Sequence, residues 1–326
     1  MSYDPEILFT VVEELRQRRR RRELDGAALR DRLYAEYPRL RELDGEISSI
    51  CSQAVQPTLS DGTDPEQAMK DAHPQLSRLR AERGKLLGGI GISEGELYPL
   101  PLCSACGDSG YIFGRPCACL REHYIREQNA LLSRALDFEN KNFGKFETRF
   151  YPEEEQEGIP LSPRAIASRA YDTCLGFARN FRRLSGTVSL LISGQPGLGK
   201  TFLAACIACE VSSQGFWALY TTASDMLALC EEERFGRGED RGRSGRFTAC
   251  DLLILDDLGT EFTTSFTQSA LFDLIDTRLR EKKSTVVTTN LSPEERAERY
   301  TRQIASRLDG EYELLPLYGT DIRLQK

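Results

Sequence analysis

The sequence predicts an α/β fold in which a parallel sheet flanked by helices follows a small helical N-terminal domain. In the C-terminal half, short apolar runs alternate with helical stretches, which is the pattern of a parallel sheet. The predicted strands are Val188–Ile192, Trp217–Thr221, Leu252–Leu255 and Thr285–Thr289. Closer to the N-terminus, apolar side chains recur at helical spacing instead, for example at Leu40, Leu43, Ile47 and Ile50.

The composition of the 326 residues is that of a folded protein. Hydrophobic residues make up 40% and charged residues 29%, which excludes wholesale disorder. No apolar run approaches the roughly 20 residues that a membrane-spanning helix needs. The N-terminus places its apolar residues before its arginines, the reverse of a secretory signal, so we expect a cytoplasmic protein with no membrane partner. The net charge of −7 excludes a globally basic nucleic-acid binder and leaves room for a local basic site.

Composition and periodicity divide the chain into four segments. Residues 1–100 are predicted to be helical, with a loop at Pro57–Pro65, and residues 101–123 to form a cysteine-rich turn. Residues 124–163 are predicted to be a connecting helix and linker, and residues 164–326 to be the α/β domain. Because the helical domain carries no catalytic constellation, we expect it to bind a partner.

A glycine-rich loop between a predicted strand and a predicted helix matches the phosphate-binding pattern G-x-x-x-x-G-K-[ST]. Its glycines allow backbone amides to surround a phosphate, and the helix N-terminus adds donors and a favourable dipole. Lys200 is expected to reach the β- and γ-phosphates of ATP, and the Thr201 hydroxyl to bind Mg²⁺. The predicted nucleotide-binding residues are Gly194, Gln195, Pro196, Gly197, Leu198, Gly199, Lys200, Thr201 and Phe202.

Two later strands end in polar side chains that suit ATP hydrolysis. The strand at Leu252–Leu255 leads into Asp256, which is placed to hold Mg²⁺, and Asp257, which is placed to orient the attacking water. Such ATPases usually carry a glutamate at the second position. Because aspartate is one methylene shorter, Glu261 is a second candidate for that role. Asn290 ends the following strand and is expected to position water beside the γ-phosphate.

Four of the ten cysteines form a compact cluster, in which ten residues separate the pair Cys103 and Cys106 from the pair Cys117 and Cys119. In a reducing compartment this spacing predicts a tetrahedral Zn²⁺ site, and nearby glycines provide the tight turns. His123 is an alternative to one of the sulfur ligands, and an Fe–S cluster would use the same thiolates. The other six cysteines are predicted to be ordinary small side chains.

An arginine- and glycine-rich segment that contains Phe235 and Phe247 precedes the predicted strand Leu252–Leu255. Basic side chains neutralise phosphates and aromatic rings stack on bases, so we predict local binding of DNA here. The alternative is a surface loop whose charge is balanced by neighbouring acids. A second basic run, Arg18–Arg22, is flanked by acids and is predicted to be a solvated helix face with salt bridges to those acids. The predicted DNA contacts are Arg234, Arg237, Arg241, Arg243 and Arg246.

The ordered set of motifs resembles the DnaC/DnaI-type replicative helicase loader family of AAA+ P-loop ATPases, within the IstB-like superfamily. The resemblance covers residues 138–326 and rests on Gly194–Thr201, Leu252–Gly259, Thr288–Asn290, Arg302–Leu308 and Gly319–Arg323. It implies an AAA+ core that uses ATP and Mg²⁺ as a switch, binds single-stranded DNA and delivers a hexameric replicative helicase held by the N-terminal domain.

The same resemblance implies roles for individual residues. Asn290 corresponds to the sensor-1 residue, and Arg307 to an arginine finger through which copies of the chain would associate. The cysteine cluster is similar to the zinc-binding turn that precedes the ATPase domain in Gram-positive loader-type proteins. Arg323 lies in a family motif without an implied role.

Two other functions remain open on the sequence. An IstB-type transposition helper shares the ATPase core but works with a transposase on duplex DNA; the cysteine turn and the long helical N-terminus favour the loader. A zinc-containing adaptor with weak ATPase activity is the third reading, and Asp257 in place of glutamate is its only support.

Overall fold

The computed structural model describes residues 2–60, 65–136, 142–155, 161–183, 188–236 and 242–324. The chain divides into two compact units, one of Met1–Val11 with Arg121–Lys326 and the other of Val12–Leu120. The whole of the predicted connecting segment, residues 124–163, is therefore assigned to the same unit as the α/β domain. Within the described ranges, no helix combines the length and apolar character that crossing a membrane requires.

The unit of residues 12–120 is mainly helical, as predicted. A core of Leu33, Leu40, Leu87 and Leu97 holds its helices together. The loop predicted at Pro57–Pro65 starts too early, because the helix before it continues to Ser60. A proline bends a helix without necessarily ending it. The helices are α1 (Pro5–Glu36, in this unit from Val12), α2 (Pro38–Ser60), α3 (Pro65–Ile90) and α4 (Glu94–Leu97).

The cysteine-rich turn contains a small antiparallel hairpin of β1 (Tyr111–Ile112) and β2 (Arg115–Pro116). The helix α5 (Ala118–Leu136) follows it directly. The hairpin strands are two residues long, so few backbone hydrogen bonds hold this part of the chain.

The other unit is built on a five-stranded parallel sheet with the order β4-β5-β6-β3-β7. Its strands are β3 (Leu190–Ser193), β4 (Ala218–Thr222), β5 (Leu252–Leu258), β6 (Ser284–Thr289) and β7 (Glu313–Pro316). The first four confirm the predicted strands. The edge strand β7 was missed because it buries one leucine, Leu315, while Glu313 and Leu314 are exposed.

Helices cover both faces of this sheet. Alternate residues of β3 face opposite cores: Leu190 and Ile192 pack in the core with α6 and α7, and Leu191 packs in the core with α8, α10 and α12. Carboxyl ends of parallel strands form one edge, where α/β proteins place their ligands. The helices are α6 (Pro163–Arg179), α7 (Lys200–Ser213), α8 (Ala223–Phe235), α9 (Gly245–Ala249), α10 (Ser265–Arg280), α11 (Pro293–Arg299) and α12 (Arg302–Glu311).

Candidate nucleotide site and cysteine cluster

The glycine-rich loop joins the end of β3 to the start of α7 and lies against the C-terminal segment. A Cβ atom on Gly194 would lie 2.4 Å from the carbonyl oxygen of Leu317. On Gly197 it would lie 2.0 Å from a carboxylate oxygen of Asp321. Both glycines have positive φ angles, 146° and 81°. The Leu317 backbone and the positive φ angle both favour glycine at position 194, and the positive φ angle favours it at position 197.

Lys200 begins α7 and is held against the loop itself. Its Nζ donates hydrogen bonds to the carbonyl oxygens of Gly194 and Gln195, at 2.8 and 2.9 Å. Burial lowers the pKa of Lys200, while the carboxylates of Asp257 and Asp256 oppose that shift. The ammonium group is thus placed where charge on a bound phosphate would stabilise it.

Asp256 is pinned by three hydroxyl groups at the carboxyl edge of the sheet. Its Oδ1 accepts from Thr201 Oγ1 at 3.1 Å and from Thr288 Oγ1 at 2.5 Å, and its Oδ2 accepts from Tyr220 at 2.6 Å. The carboxylate is 2% exposed. A threonine hydroxyl beside a carboxylate oxygen is the kind of hard donor set that Mg²⁺ prefers, so these residues fit the predicted metal.

Asp257 has a left-handed backbone with φ 54°, and its N–H donates to Thr288 Oγ1 at 2.9 Å. This conformation is uncommon for a residue other than glycine. Burial raises the pKa of Asp257, and the charge of Asp256 raises it further. The Asp257 side chain lines the cavity described below.

Glu261, the second candidate for orienting water, has a different environment. Its carboxylate accepts hydrogen bonds from the Gly259 amide at 2.8 Å and from the Tyr300 hydroxyl, and the residue is 6% exposed. Glu261 is not among the residues that line the cavity. The geometry therefore favours Asp257 as the carboxylate that can meet a bound nucleotide.

A cavity of about 530 Å³ lies at this edge of the sheet, within the size range of small-molecule sites. The carbonyl oxygen of the Asn290 side chain is buried and has no hydrogen-bond partner among the described residues. Among the predicted site residues, Gly194, Gln195, Leu198, Asp256 and Arg307 do not line the cavity. The lining residues are Lys145, Phe146, Glu147, Phe150, Pro196, Gly197, Gly199, Lys200, Thr201, Phe202, Asp257, Thr260, Asn290, Ile322 and Arg323.

Aromatic residues before α6 form a wall of the cavity that the sequence analysis missed. The Phe146 ring stacks on Tyr171 at 5.5 Å and lies 6.1 Å from Phe202. The nearby Tyr151 hydroxyl donates to the Leu198 carbonyl oxygen at 2.7 Å, which ties this segment to the glycine-rich loop. The density of aromatic residues between positions 143 and 151 was the available signal.

The C-terminal segment closes another side of the cavity. The Ile322 amide donates to the Gly197 carbonyl oxygen at 3.1 Å. Arg323 makes a two-pronged ion pair with Asp321, with contacts of 2.9 and 2.6 Å. Arg323 therefore lies at the cavity, a location that its sequence motif did not predict.

The four clustered cysteines fit a tetrahedral metal ion. Their sulfur atoms all lie within 4.8 Å of one another, with Cys103 and Cys117 at 3.7 Å and Cys106 and Cys119 at 3.4 Å. Zinc–sulfur bonds of about 2.3 Å in a tetrahedron place sulfurs about 3.8 Å apart. His123 is not part of this group among the described residues.

Protein contacts support the cluster from one side. Asp108 accepts hydrogen bonds from the backbone amides of Cys103, at 2.7 Å, and Leu102, at 3.0 Å, and pairs with Arg22 of α1. Arg18 and Arg19 form exposed ion pairs with Glu14 and Glu23, as predicted for this run, whereas Arg22 pairs with Asp108 and is only 20% exposed. The pKa of the Cys106 thiol is lowered to about 7: burial opposes ionisation, and hydrogen bonds from the Gly110 amide and the neighbouring thiols outweigh it.

The predicted DNA contacts fall into different environments. Arg237 and Arg241 lie outside the described residues. The Arg234 guanidinium lies over two rings, 5.7 Å from the centroid of Phe235 and 5.3 Å from that of Phe266. Phe235 is 68% exposed. This is a basic and aromatic surface at the end of α8 and the start of α10.

The other two arginines face the N-terminal segment of the same unit. Arg246 donates to Asp4 at 2.7 Å, and Arg243 lies 4.0 Å from Glu6. Phe247 was expected to be available for stacking, and that expectation is wrong, because α9 turns it into the core beneath the sheet. Among the predicted DNA-contact arginines that the structure describes, Arg234 is the one that lies over aromatic rings.

Comparisons with known proteins agree with this geometry. Residues 180–317 match the family described as IstB-like ATP binding protein. The chain is 26% identical over 194 residues to the replicative helicase loader DnaC of Escherichia coli K12, covering 56% of this chain and 77% of that protein. A putative insertion-sequence ATP-binding protein of Pseudomonas fluorescens is 33% identical over 142 residues, covering 42% of this chain and 55% of that protein. A crystal structure of the DnaC helicase loader has a TM-score of 0.46 and 22% identity, covering 56% of this chain and 99% of that one.

The resemblance drawn from the motifs is thereby confirmed for the α/β domain. Both phosphate-site motifs meet at the carboxyl edge of a parallel sheet, within the residues that match the family. Residues 180–317 therefore match the IstB-like ATP binding protein family, and the chain is similar in sequence to the DnaC helicase loader.

Proposed function

We propose that this protein is an ATP-dependent loader of a replicative DNA helicase. The observation that carries the proposal is its similarity to the DnaC loader of Escherichia coli K12, which extends over 77% of that protein. In this proposal the α/β unit binds single-stranded DNA and hydrolyses ATP as an assembly switch. The helical unit binds the hexameric helicase, and its four cysteines hold Zn²⁺.

The cavity and its immediate surroundings support roles for Lys200, Thr201 and Asp257. Amides of the glycine-rich loop and Lys200 bind the phosphates, while Phe146 supplies an apolar surface for the base. Thr201 and Asp256 hold Mg²⁺, which when bound neutralises phosphate charge. Asp257 accepts a hydrogen bond from a water that attacks the γ-phosphorus, and the bond to the β-phosphate oxygen breaks to leave ADP.

Asn290 and Arg307 complete the proposed reaction from two sides. The unpartnered carbonyl oxygen of Asn290 accepts a hydrogen bond from the same water. Arg307 does not line the cavity of its own chain, in keeping with a contribution to a neighbouring copy. An arginine supplied in this way stabilises charge on the transferring phosphoryl group and couples hydrolysis to assembly.

The contact with DNA is proposed at Arg234 together with Phe235 and Phe266. The guanidinium would neutralise a backbone phosphate, and the exposed Phe235 ring offers a face for a base. Because such binding releases counterions, it should weaken as salt concentration rises.

A transposition helper is the second candidate function. It is favoured by the 33% identity to the insertion-sequence ATP-binding protein of Pseudomonas fluorescens, which covers 55% of that protein. In this case the partner would be a transposase and the DNA a duplex. An adaptor with weak ATPase activity is the third candidate, and Asp257 remains its support.

A helicase-transfer assay tests the proposal. The full chain is mixed with the replicative helicase of the same organism and with DNA single strands coated by single-strand binding protein, and helicase bound to DNA is measured with and without ATP. We expect ATP-dependent transfer that Lys200→Ala abolishes. Filament formation on duplex DNA with no helicase transfer would favour the transposition helper. Tight ATP binding with turnover no faster than that of Lys200→Ala would favour the adaptor.

A further inference from the structure

Arg307 is held by two side chains of α10 in the same chain. Its Nη2 and Nε donate to one oxygen of Asp276, at 2.6 and 3.2 Å. Its guanidinium carbon lies 4.5 Å from the centroid of the Phe272 ring. The Arg307 side chain remains 31% exposed and that of Asp276 23% exposed, so the pair lies at the surface.

The arrangement leaves part of the guanidinium free to bind a ligand. An arginine side chain has five N–H donors, and the Asp276 oxygen receives two of them. The Nη1 atom has one long contact, 3.5 Å, to the carbonyl oxygen of Gln303. One two-donor edge, formed by Nη1 and Nη2, therefore remains available for a ligand such as a phosphate.

The Phe272 ring and the Asp276 carboxylate restrict different rotations of the Arg307 guanidinium. Stacking fixes the plane of the guanidinium, and the ion pair fixes its rotation within that plane. A long, flexible side chain held in this way loses less freedom when it reaches a phosphate. Asp276 is itself steadied from the opposite side by Arg280, whose Nε lies 2.9 Å from its second oxygen.

We propose that Asp276, with Phe272, is a positioning residue that orients Arg307 toward the nucleotide of a neighbouring copy of the chain. This inference rests on the proposed function, in which Arg307 assists hydrolysis between copies. Asp276 touches neither nucleotide nor water in this role, and it acts through the direction of the arginine.

A mixed-subunit ATPase assay tests the role. An acceptor chain with Arg307→Ala keeps its own site but lacks the finger, and a donor chain with Lys200→Ala lacks its own hydrolysis but keeps the finger. We expect the mixture to recover hydrolysis that neither variant has alone, since finger arginines contribute on the order of a thousandfold. Adding Asp276→Asn to the donor should reduce the recovered rate roughly tenfold, the scale expected for a misdirected group.

Placing the same substitution in the donor or in the acceptor distinguishes the positioning of Arg307 from a merely structural effect. Asp276→Asn in the acceptor instead of the donor should leave the recovered rate unchanged. Asp273→Asn in the donor removes the same charge from an exposed position of the same helix and should also have no effect. Thermal unfolding of each variant establishes that the folds are equally stable.

The outcomes separate the two proposals. An undiminished or increased rate with the Asp276→Asn donor would overturn the positioning role while leaving Arg307 as the finger. No recovery with the Lys200→Ala donor alone would overturn both the role of Arg307 between copies and the present inference.

Discussion

The nucleotide site and the cysteine cluster assemble their polar groups in opposite ways. Thr201, Asp256 and Asn290 come from well-separated parts of the sequence and meet because three strands of a buried sheet end at one edge. The four thiols come from Cys103–Cys119, where the two strands contain two residues each. Hydrogen bonds and sheet burial order the first site without a ligand. The second has little structure of its own, so its order should depend on the metal.

The largest expected effect is the loss of structure on removing zinc. Structural zinc contributes about 10–16 kcal/mol of apparent binding free energy in zinc-finger peptides. We therefore expect chelation, or Cys106→Ser, to abolish hydrogen-exchange protection of the amides between Cys103 and Cys119. ATP binding by the other unit should be unchanged, which a fluorescent nucleotide titration measures.

Cys51→Ser is the matched control, because it removes a half-buried thiol of the same unit that lies outside the cluster. It should preserve the protection pattern. Full protection of the metal-free cluster would contradict the contrast between the two sites.

The second prediction concerns Asp257, whose ionised carboxylate is disfavoured by burial and by the charge of Asp256. Asp257→Asn should lower the hydrolysis rate by roughly a hundredfold or more, because a water-orienting carboxylate is lost. The same change should raise the thermal midpoint in EDTA without nucleotide. The folded-state pKa of Asp257 is raised, so its stabilising contribution belongs to low pH and is lost as pH rises through that pKa. Neutral asparagine avoids this loss and accepts a positive φ angle.

Glu261→Gln is the comparison for this prediction. Since Glu261 is engaged by Gly259 and Tyr300 rather than by the cavity, its replacement should slow hydrolysis less than Asp257→Asn does. The reverse order would transfer the role to Glu261. A lowered midpoint for Asp257→Asn would show that the ionised side chain does not destabilise the fold.

The two sites also differ in what could be predicted from the sequence. The residues from Gly194 to Thr201 and the paired acids could be recognised because phosphate and magnesium binding require contiguous residue types. The cysteine spacing was readable for the same reason. Phe146, Ile322 and Arg323 could not be assigned, because they reach the cavity through packing between segments distant in sequence.

Burial explains the other differences. The edge strand β7 has one buried leucine and so lacks the apolar run that revealed the central strands. Phe247 and Arg246 belong to a segment whose composition indicates a basic surface. The fold instead buries Phe247 in a core formed with strands and helices of the same unit, and it pairs Arg246 with Asp4, a residue more than 200 positions away.

The third prediction concerns Asp108, which contacts the backbone of the cysteine cluster and Arg22. Asp108→Ala removes the acceptor for the Cys103 amide and the partner of Arg22. Loss of such support around metal ligands typically weakens metal affinity about 10–100-fold, and competition with a zinc-binding dye would measure it. Asp44→Ala, which removes a partly buried acid of the same unit away from the cluster, should leave zinc affinity unchanged. An unaltered affinity for Asp108→Ala would mean that the thiols alone determine the site.

The smallest expected effect tests how far the order of the nucleotide site extends beyond its motifs. Tyr151→Phe leaves the buried carbonyl oxygen of Leu198 without the hydroxyl that lies 2.7 Å away. A lost buried hydrogen bond costs about 1 kcal/mol, which corresponds to roughly a fivefold weaker affinity for ATP if the loop must be ordered to bind it. Tyr171→Phe makes the same chemical change in the same aromatic group without altering a hydrogen bond to the loop, and it should bind ATP normally. Equal affinities for the two variants would restrict the preformed site to the motifs themselves. A weaker ATP affinity for Tyr151→Phe alone would show that the preformed nucleotide site also includes the segment before α6, which no sequence motif identified.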